Sequence, residues 1–154
     1  MKHILLSLFL LLGVTAHAES NYEQVDKTLN ALHHNASTAN FEEYFNLYHN
    51  NAVFIGTDAS EVWSKEEFQA YAKPHFDKGK GWTYHPRDRH IYFSSNKDVA
   101  WFDELLDNDS LGETRGTGVL VKEGDVWRVT QYHLTIPIPN ALADSIAEQI
   151  KSAK

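Results

Sequence analysis

The chain has 154 residues, contains no cysteine and carries a formal net charge of -7. Without thiols it has no disulfide and no cysteine nucleophile, and an acidic chain without a basic stripe argues against nucleic acid or an anionic membrane as a partner. Four Trp, seven Tyr and eight Phe supply enough large side chains for the core of one domain.

The first 18 residues have the features of a secretory signal peptide. Lys2 gives a positive start, residues 4–14 form an apolar run, and the small-x-small sequence AHA ends at Ala18. The run is too short to span a bilayer, and a signal peptidase cleaves after such an ending. We therefore expect cleavage after Ala18, no membrane association afterwards, and a periplasmic or secreted protein. A retained N-terminal membrane anchor is the alternative.

Residues 19–154 predict a single domain in which helices precede most of the strands. Apolar side chains recur at helical spacing over residues 21–36, which favours an amphipathic helix. Two capping boxes then predict the starts of two further helices. A short helix after Asn140 is expected to end the chain. The capping boxes are Asn40 with Glu43 and Ser64 with Glu67.

Turn-forming sequences separate the apolar runs in the second half of the chain. Residues 52–56 predict a short buried strand, and four longer strands follow the third helix. Because short turns make sequential strands antiparallel neighbours, we expect an α+β fold with helices on one face of an antiparallel sheet. The four longer strands are predicted at residues 82–94, 99–106, 115–122 and 126–136.

Three segments, FIGTDASEVW, VAWFDELL and RGTGVLVKEGDVWRVTQYHLTIPIPN, resemble the SnoaL-like branch of the nuclear-transport-factor-2-like (NTF2-like, ketosteroid-isomerase-like) superfamily. This resemblance implies a strongly curved sheet wrapped against helices into a cone. It also implies a largely apolar pocket at the open end, suited to a small apolar or aromatic molecule. The outer sheet face of the family often packs against a second subunit, so a homodimer is expected.

Strict alternation along residues 126–136 predicts which side chains of the last strand share a face. One face would carry Gln131 and His133, and the other Arg128, Tyr132 and Leu134. We expect the face with Arg128, Tyr132 and Leu134 to be the outer, dimer-forming one. Gly116 and Gly118 share a side of their strand, where they indicate either a bend or close packing under a neighbouring ring.

Asp103 is the candidate catalytic carboxylate. It lies mid-strand with Trp101 and Leu105 on its own face, so burial among them would raise its pKa, as a general base requires. Pairing with Arg115 or Arg128 is the structural alternative. Glu104 points to the opposite face and is expected to be solvated or at a subunit interface.

His133 is the second candidate for proton transfer, because histidine titrates near neutral pH. A buried hydrogen-bonding role within the sheet is the alternative. Further side chains are expected to contact the ligand or to form the core around the pocket mouth. The predicted ligand-binding residues are Trp63, His75, Tyr84, Trp101, Arg115 and Gln131.

No metal and no cofactor is expected. No histidine pair has convincing zinc spacing, since His33 and His34 are adjacent and diverge on a helix. Two functions remain open: an exported small-molecule-binding domain, or a cofactor-free isomerase, cyclase or dehydratase in which Asp103 or His133 moves a proton.

Overall fold

The computed structural model describes residues 19–153, and the predicted signal peptide lies outside these described residues. The helices precede most of the strands, as expected for this α+β fold, and one short strand, β2, was not predicted from the sequence. The helices are α1 (Asn21–Ser37), α2 (Phe41–Asn46), α3 (Lys65–Phe76) and α4 (Ala143–Ser152), the last preceded by a 3-10 turn at Asn140–Leu142. The strands are β1 (Tyr48–Ile55), β2 (Val62–Ser64), β3 (His85–Phe93), β4 (Val99–Asn108), β5 (Gly112–Glu123) and β6 (Val126–Thr135).

The described strands form one curved, unclosed sheet in the order β2-β1-β6-β5-β4-β3. Strands β3 to β6 form the predicted antiparallel meander, and β1 pairs with β6 in the parallel direction. The first strand of the domain, β1, therefore lies beside the last strand, β6, inside the sheet and not at its edge.

Local sequence signals explain two of the helix starts. Ser64 caps α3 by accepting from the Glu67 backbone N–H, and the Glu67 carboxylate accepts from the Ser64 N–H, so this capping box is confirmed. Ser20 and Glu23 form a second box at α1. The box predicted at Asn40 is wrong, since the Asn40 side chain makes no capping hydrogen bond.

The core lies between the helices and the concave face of the sheet. On α1 the buried residues recur every three or four positions, at Val25, Leu29, Leu32, His33 and Ala36. Such spacing makes one side of a helix apolar, and this side packs against the sheet. A histidine therefore stands in a position that an apolar side chain would normally occupy.

A β-bulge divides β6. Val119 and Leu120 of β5 pair with Gln131 and Val129, so Thr130 is an extra residue without a partner. Such a residue shifts the alternation of side chains by one position. Tyr132 and Leu134 consequently point inward, where they are 5% and 8% exposed. The prediction that they form the outer face is wrong, because it assumed an unbroken strand.

Helix α4 has no buried residue, and Leu142, just before its start, and Ile150, near its end, are more than half exposed. None of the helices within residues 19–153 is both long and apolar enough to cross a membrane.

Candidate functional site

A cavity of about 250 Å³ opens between the helices and the concave face of the sheet. Its walls come from α1, α2, α3, the first two strands, β6 and the loops around them. Half of its lining residues are aromatic, which suits a pocket for an apolar ligand. The aromatic lining residues are Tyr44, Phe54, Trp63, Phe68, Tyr71, Trp82, Tyr84 and Tyr132.

Several of these rings lie nearly parallel to each other. The plane of Phe54 makes angles of 3° with Tyr132, 12° with Trp63 and 14° with Phe68. Trp63 in turn stacks on Tyr71, with their ring centroids 4.7 Å apart. The cavity wall therefore presents flat aromatic faces in a common orientation.

One histidine reaches this aromatic cavity from α1. The Nε2 atom of His33 lies 2.7 Å from Oε1 of Glu104, a residue of β4 that is 0% exposed. Since a carboxylate only accepts hydrogen bonds, this contact places the proton of a neutral His33 on Nε2. The His33 ring lines the cavity, and Nδ1 makes no hydrogen bond within residues 19–153.

Arg89 of β3 balances the charge of Glu104. Its Nε donates to Glu104 Oε2 at 2.7 Å, and its NH1 donates to Asp26 Oδ1 of α1 at 2.7 Å. Burial alone would lower the pKa of Arg89, but the two carboxylates raise it above its usual value. Both oxygens of Glu104 thus accept hydrogen bonds, as a buried carboxylate requires.

A second irregularity of the sheet brings Arg89 to this position. The register of β3 against β4 shifts between Arg87 and His90, and Asp88 has a φ of 48°. A bulge of this kind turns a strand locally and can direct a side chain to a different face. Arg89 consequently points toward the interior of the domain, whereas the other charged residues of β3 are exposed or half-buried.

Three buried tyrosines lie in the same core, and one of them contacts this network. The Tyr132 hydroxyl lies 3.4 Å from Glu104 Oε1, and the Tyr44 and Tyr48 hydroxyls are 2.9 Å apart. Burial raises the pKa of all three phenols, and for Tyr132 the neighbouring Glu104 charge raises the pKa further. These hydroxyls therefore stay protonated at neutral pH.

Gly116 makes room for this arrangement. A Cβ atom at this position would overlap the Tyr132 hydroxyl and would lie 3.1 Å from Glu104 Oε1. At Gly118 it would overlap the backbone carbonyl oxygen of Gln131 and the ring of Phe102. Both glycines therefore allow close packing by neighbouring groups, and Gly118 also lies beside the register shift between β5 and β6.

The sequence matches the profile of the SnoaL-like domain over residues 25–139, which is well over half of the chain. The chain belongs to the SnoaL-like family. No curated protein sequence matches this SnoaL-like protein significantly.

Solved structures of the NTF2-like superfamily share the fold of this SnoaL-like protein. A candidate dehydratase of the NTF2-like family from Streptomyces avermitilis aligns with a TM-score of 0.66 at 15% identity, over 77% of this chain and 97% of that one. An NTF2-like protein of unknown function from Pseudomonas putida gives 0.65 at 12%, over 79% and 91%. A candidate scytalone dehydratase from Novosphingobium aromaticivorans gives 0.62 at 10%, over 76% and 84%. The predicted cone-shaped NTF2-like fold is thereby confirmed.

The cavity of this SnoaL-like protein includes two of the predicted ligand-binding residues, Trp63 and Tyr84. Burial raises the pKa of the Tyr84 phenol. His75 is exposed on α3, where its ring lies 5.6 Å from that of Tyr71, and it is not part of the lining.

The prediction that Asp103 is buried beside the ligand is wrong. Its side chain is 42% exposed on the outer face of β4 and lies 3.2 Å from His90 Nδ1. Trp101, expected to shield it, is itself 45% exposed. Neither Arg115 nor Arg128 forms an ion pair with Asp103 among the described residues.

His133, Gln131 and Arg115 also lie on this outer face. Thr117 of β5 pairs with both Asp103 and His133, so these two residues occupy one row across the sheet, as the sequence suggested. That row is on the side opposite to Tyr132 and Leu134, which line the cavity. The structure therefore places Asp103 and His133 in one row, as predicted, but on the outer face of the sheet and not in the cavity.

Sequence reasoning missed His33, which lines the cavity, and also Glu104 and Arg89, which are connected to it through buried hydrogen bonds. The sequence held one signal for His33 and one for Glu104. His33 follows Leu29 by four residues on the apolar stripe of α1, and Glu104 shares a strand face with Phe102 and Leu106. Glu104 was expected to be solvated or at an interface, which is wrong. Within residues 19–153, no three histidine, aspartate or glutamate side chains converge in a group suited to a metal ion.

Proposed function

We propose that this protein binds a small, largely apolar or aromatic molecule in the cavity and that His33 transfers a proton to or from it. The protein would act as a cofactor-free isomerase or dehydratase. The observation that carries this proposal is the 2.7 Å contact between His33 Nε2 and the buried Glu104, made by a ring that lines the cavity. A carboxylate in this position orients an imidazole and fixes which of its nitrogens carries the proton.

The proposed step uses Nδ1 of His33 as the base. Nδ1 takes a proton from a C–H bond of the ligand, and the electron pair of that bond forms a new double bond. In an isomerisation the π pair of an existing double bond shifts to a different carbon, which takes the proton back from the protonated His33. In a dehydration the neighbouring C–O bond breaks, and the hydroxyl group takes the proton and departs as water. Either route returns the imidazole to its starting state, so no oxidant, reductant or cofactor is needed.

Two further features support this reaction class. Glu104 is held by Arg89, so the carboxylate that orients His33 is already in place before the ligand binds. The fold is also shared with candidate dehydratases of the NTF2-like family, and a dehydration is a proton-transfer reaction of this kind.

Catalysis can be tested without knowing the natural substrate. We would incubate the protein in D2O with 1-tetralone, a bicyclic aromatic ketone, and follow by NMR the loss of the proton signal beside its carbonyl. Wild-type protein should accelerate this exchange, and His33→Ala should lower the acceleration at least about 100-fold. His34→Ala is the matched control, because His34 is the exposed neighbour on the same helix.

Equal exchange in the His33→Ala and wild-type proteins would overturn the role of His33. Binding of 1-tetralone, detected by a thermal shift, without any accelerated exchange would overturn the enzymatic proposal. The protein would then be a binding domain without catalysis.

We also propose that the mature protein acts in the periplasm or outside the cell, and as a homodimer. The positive start, apolar run and AHA sequence of residues 1–18 support export. The exposed outer face of the sheet supports self-association. Mass spectrometry of the exported fraction should find a chain that begins at Glu19, whereas a full-length chain retained in the cytoplasm would contradict export.

A further inference from the structure

We propose that the cavity selects a flat aromatic compound of one or two rings that is neutral or positively charged, and that Glu61 rejects aromatic carboxylates. This inference rests on the proposed function, because it concerns the ligand of the same cavity. It adds the size, shape and charge that the ligand must have.

The volume of the cavity limits the size of the ligand. A cavity of about 150 Å³ holds benzene, and pockets for drug-sized molecules begin at about 300 Å³. With about 250 Å³, this open cavity lies between the two, so one ring or two fused rings fit inside it, whereas a four-ring steroid skeleton would extend beyond it.

The walls limit the shape of the ligand. The ring plane of Phe54 lies within 14° of the ring planes of Phe68 and Tyr132, so these three rings of the wall share one orientation. An aromatic ligand gains from offset stacking when its plane follows that of the surrounding rings. Phe54 and Phe68 already stack on each other with centroids 3.9 Å apart, so a ligand ring would extend this stack rather than enter it, and a flat ring extends it more closely than a bulky saturated skeleton.

The charges of the lining limit the charge of the ligand. No lysine or arginine is among the lining residues in the described part of the chain, whereas Glu61 is. Unlike Glu104, whose charge is balanced by Arg89, Glu61 forms no ion pair within residues 19–153. Its Oε2 accepts only the Asp58 backbone N–H, at 3.2 Å. An aromatic carboxylate would therefore meet an uncompensated negative charge.

Glu61 is held at the cavity by the backbone around it. Its backbone carbonyl accepts the Gly56 N–H at 2.9 Å, which closes the loop between β1 and β2. A Cβ atom on Gly56 would overlap the Glu61 carboxylate, so the missing side chain of this glycine leaves space for it. Glu61 is half-buried and His33 is 9% exposed, so the carboxylate stands nearer the entrance and the histidine deeper.

Three naphthalene derivatives of matched size test this inference. Binding of 2-naphthylmethylamine, 2-naphthol and 2-naphthoate would be measured by calorimetry at pH 7. The amine and the naphthol should bind wild-type protein at least about tenfold more tightly than the carboxylate, since a hydrogen bond to a charged group is worth roughly this factor. Glu61→Gln should remove about tenfold of the preference for the amine over the carboxylate. Glu66→Gln, an exposed carboxylate of α3, is the control and should leave the preference unchanged.

The outcomes separate this inference from the proposed function. Equal binding of the amine and the carboxylate, or a preference that survives Glu61→Gln, would overturn the role of Glu61 alone. Charge-selective binding together with absent exchange of 1-tetralone would overturn the proton transfer and leave the ligand class intact. Failure of all three compounds to bind would overturn both proposals.

Discussion

His33 and Glu104 are 71 positions apart in the chain, yet Nε2 of the histidine lies 2.7 Å from Oε1 of the glutamate inside the core. One residue comes from the apolar stripe of α1 and the other from the inward face of β4. Polar groups in such positions cost free energy unless they are paired. The contact between them is therefore both the reason the core tolerates them and the centre of the candidate site.

Removing the carboxylate of Glu104 should destabilise the protein strongly. Glu104→Ala leaves Arg89 with only Asp26 as a charged partner, and breaking a buried ion pair costs about 3–5 kcal/mol. Glu104→Gln keeps the volume and should cost less. Urea unfolding measures both changes, with Glu113→Gln, an exposed carboxylate of β5, as the control. A loss below about 1 kcal/mol in Glu104→Ala would show that Asp26 alone balances Arg89.

The three buried tyrosines predict a loss of stability in alkali. Tyr44, Tyr48 and Tyr132 have raised pKa values in the folded protein, compared with about 10 in the unfolded chain. Above pH 10 the unfolded chain releases these protons while the folded protein keeps them, so the free energy of unfolding falls as pH rises. Below pH 10 both states are protonated and the contribution is constant.

Phenol absorbance and circular dichroism during an alkaline titration check this prediction. Ionisation of these three phenols should coincide with the loss of structure rather than precede it. If all seven tyrosines ionised near pH 10 with the fold intact, the tight burial of these hydroxyls would be contradicted.

Substitution of Gly116 should disturb the site more than the fold. In Gly116→Ala the added methyl group displaces the Tyr132 hydroxyl and presses on Glu104, and such overpacking typically costs about 1–3 kcal/mol. Binding of 2-naphthol should weaken as well, because Tyr132 lines the cavity. Thr117→Ala, on the outer face of the same strand, is the control. Unfolding and calorimetry measure the two effects, and an unchanged affinity would separate Gly116 from the cavity.

The outer face of the sheet should mediate the proposed dimer. Trp101 and Tyr92 are 45% and 46% exposed there and stack with a centroid distance of 6.0 Å. A charge in this apolar pair would oppose association, so Trp101→Glu should sediment as a monomer while wild-type protein sediments as a dimer. Val62→Glu, at a residue that is 57% exposed but on β2 at the opposite edge of the sheet, should remain dimeric. A monomeric wild-type protein at micromolar concentration would contradict the dimer.

Much of the architecture could be predicted from local patterns. The helical spacing of apolar residues from Val25 to Ala36, the capping box at Ser64 and the turn sequences between β3 and β6 all act over a few residues, and each was confirmed. The pocket was expected from the family resemblance, and Trp63 and Tyr84 do line a cavity.

The faces of the sheet could not be predicted in the same way, because a single extra residue reverses them. Without the bulge at Thr130, His133 would share the inward face of Trp127 and Val129, as the sequence suggested. With it, Tyr132 faces the cavity and His133 faces outward. Bulges arise from the fit between two strands, so the sequence of one strand does not reveal them.

The sequence by itself determined the fold class and the family of this protein. It is an acidic, cysteine-free chain with the periodicities of an α+β fold and the motifs of the SnoaL-like family. Only the tertiary structure decided which charged residues are functional candidates. Glu104 and Asp103 are adjacent and chemically alike, but one is 0% exposed beside His33 and Arg89 and the other is half-exposed beside His90. The physical reason is that burial and charge pairing depend on partners from distant segments, and neither is encoded in the neighbours along the chain.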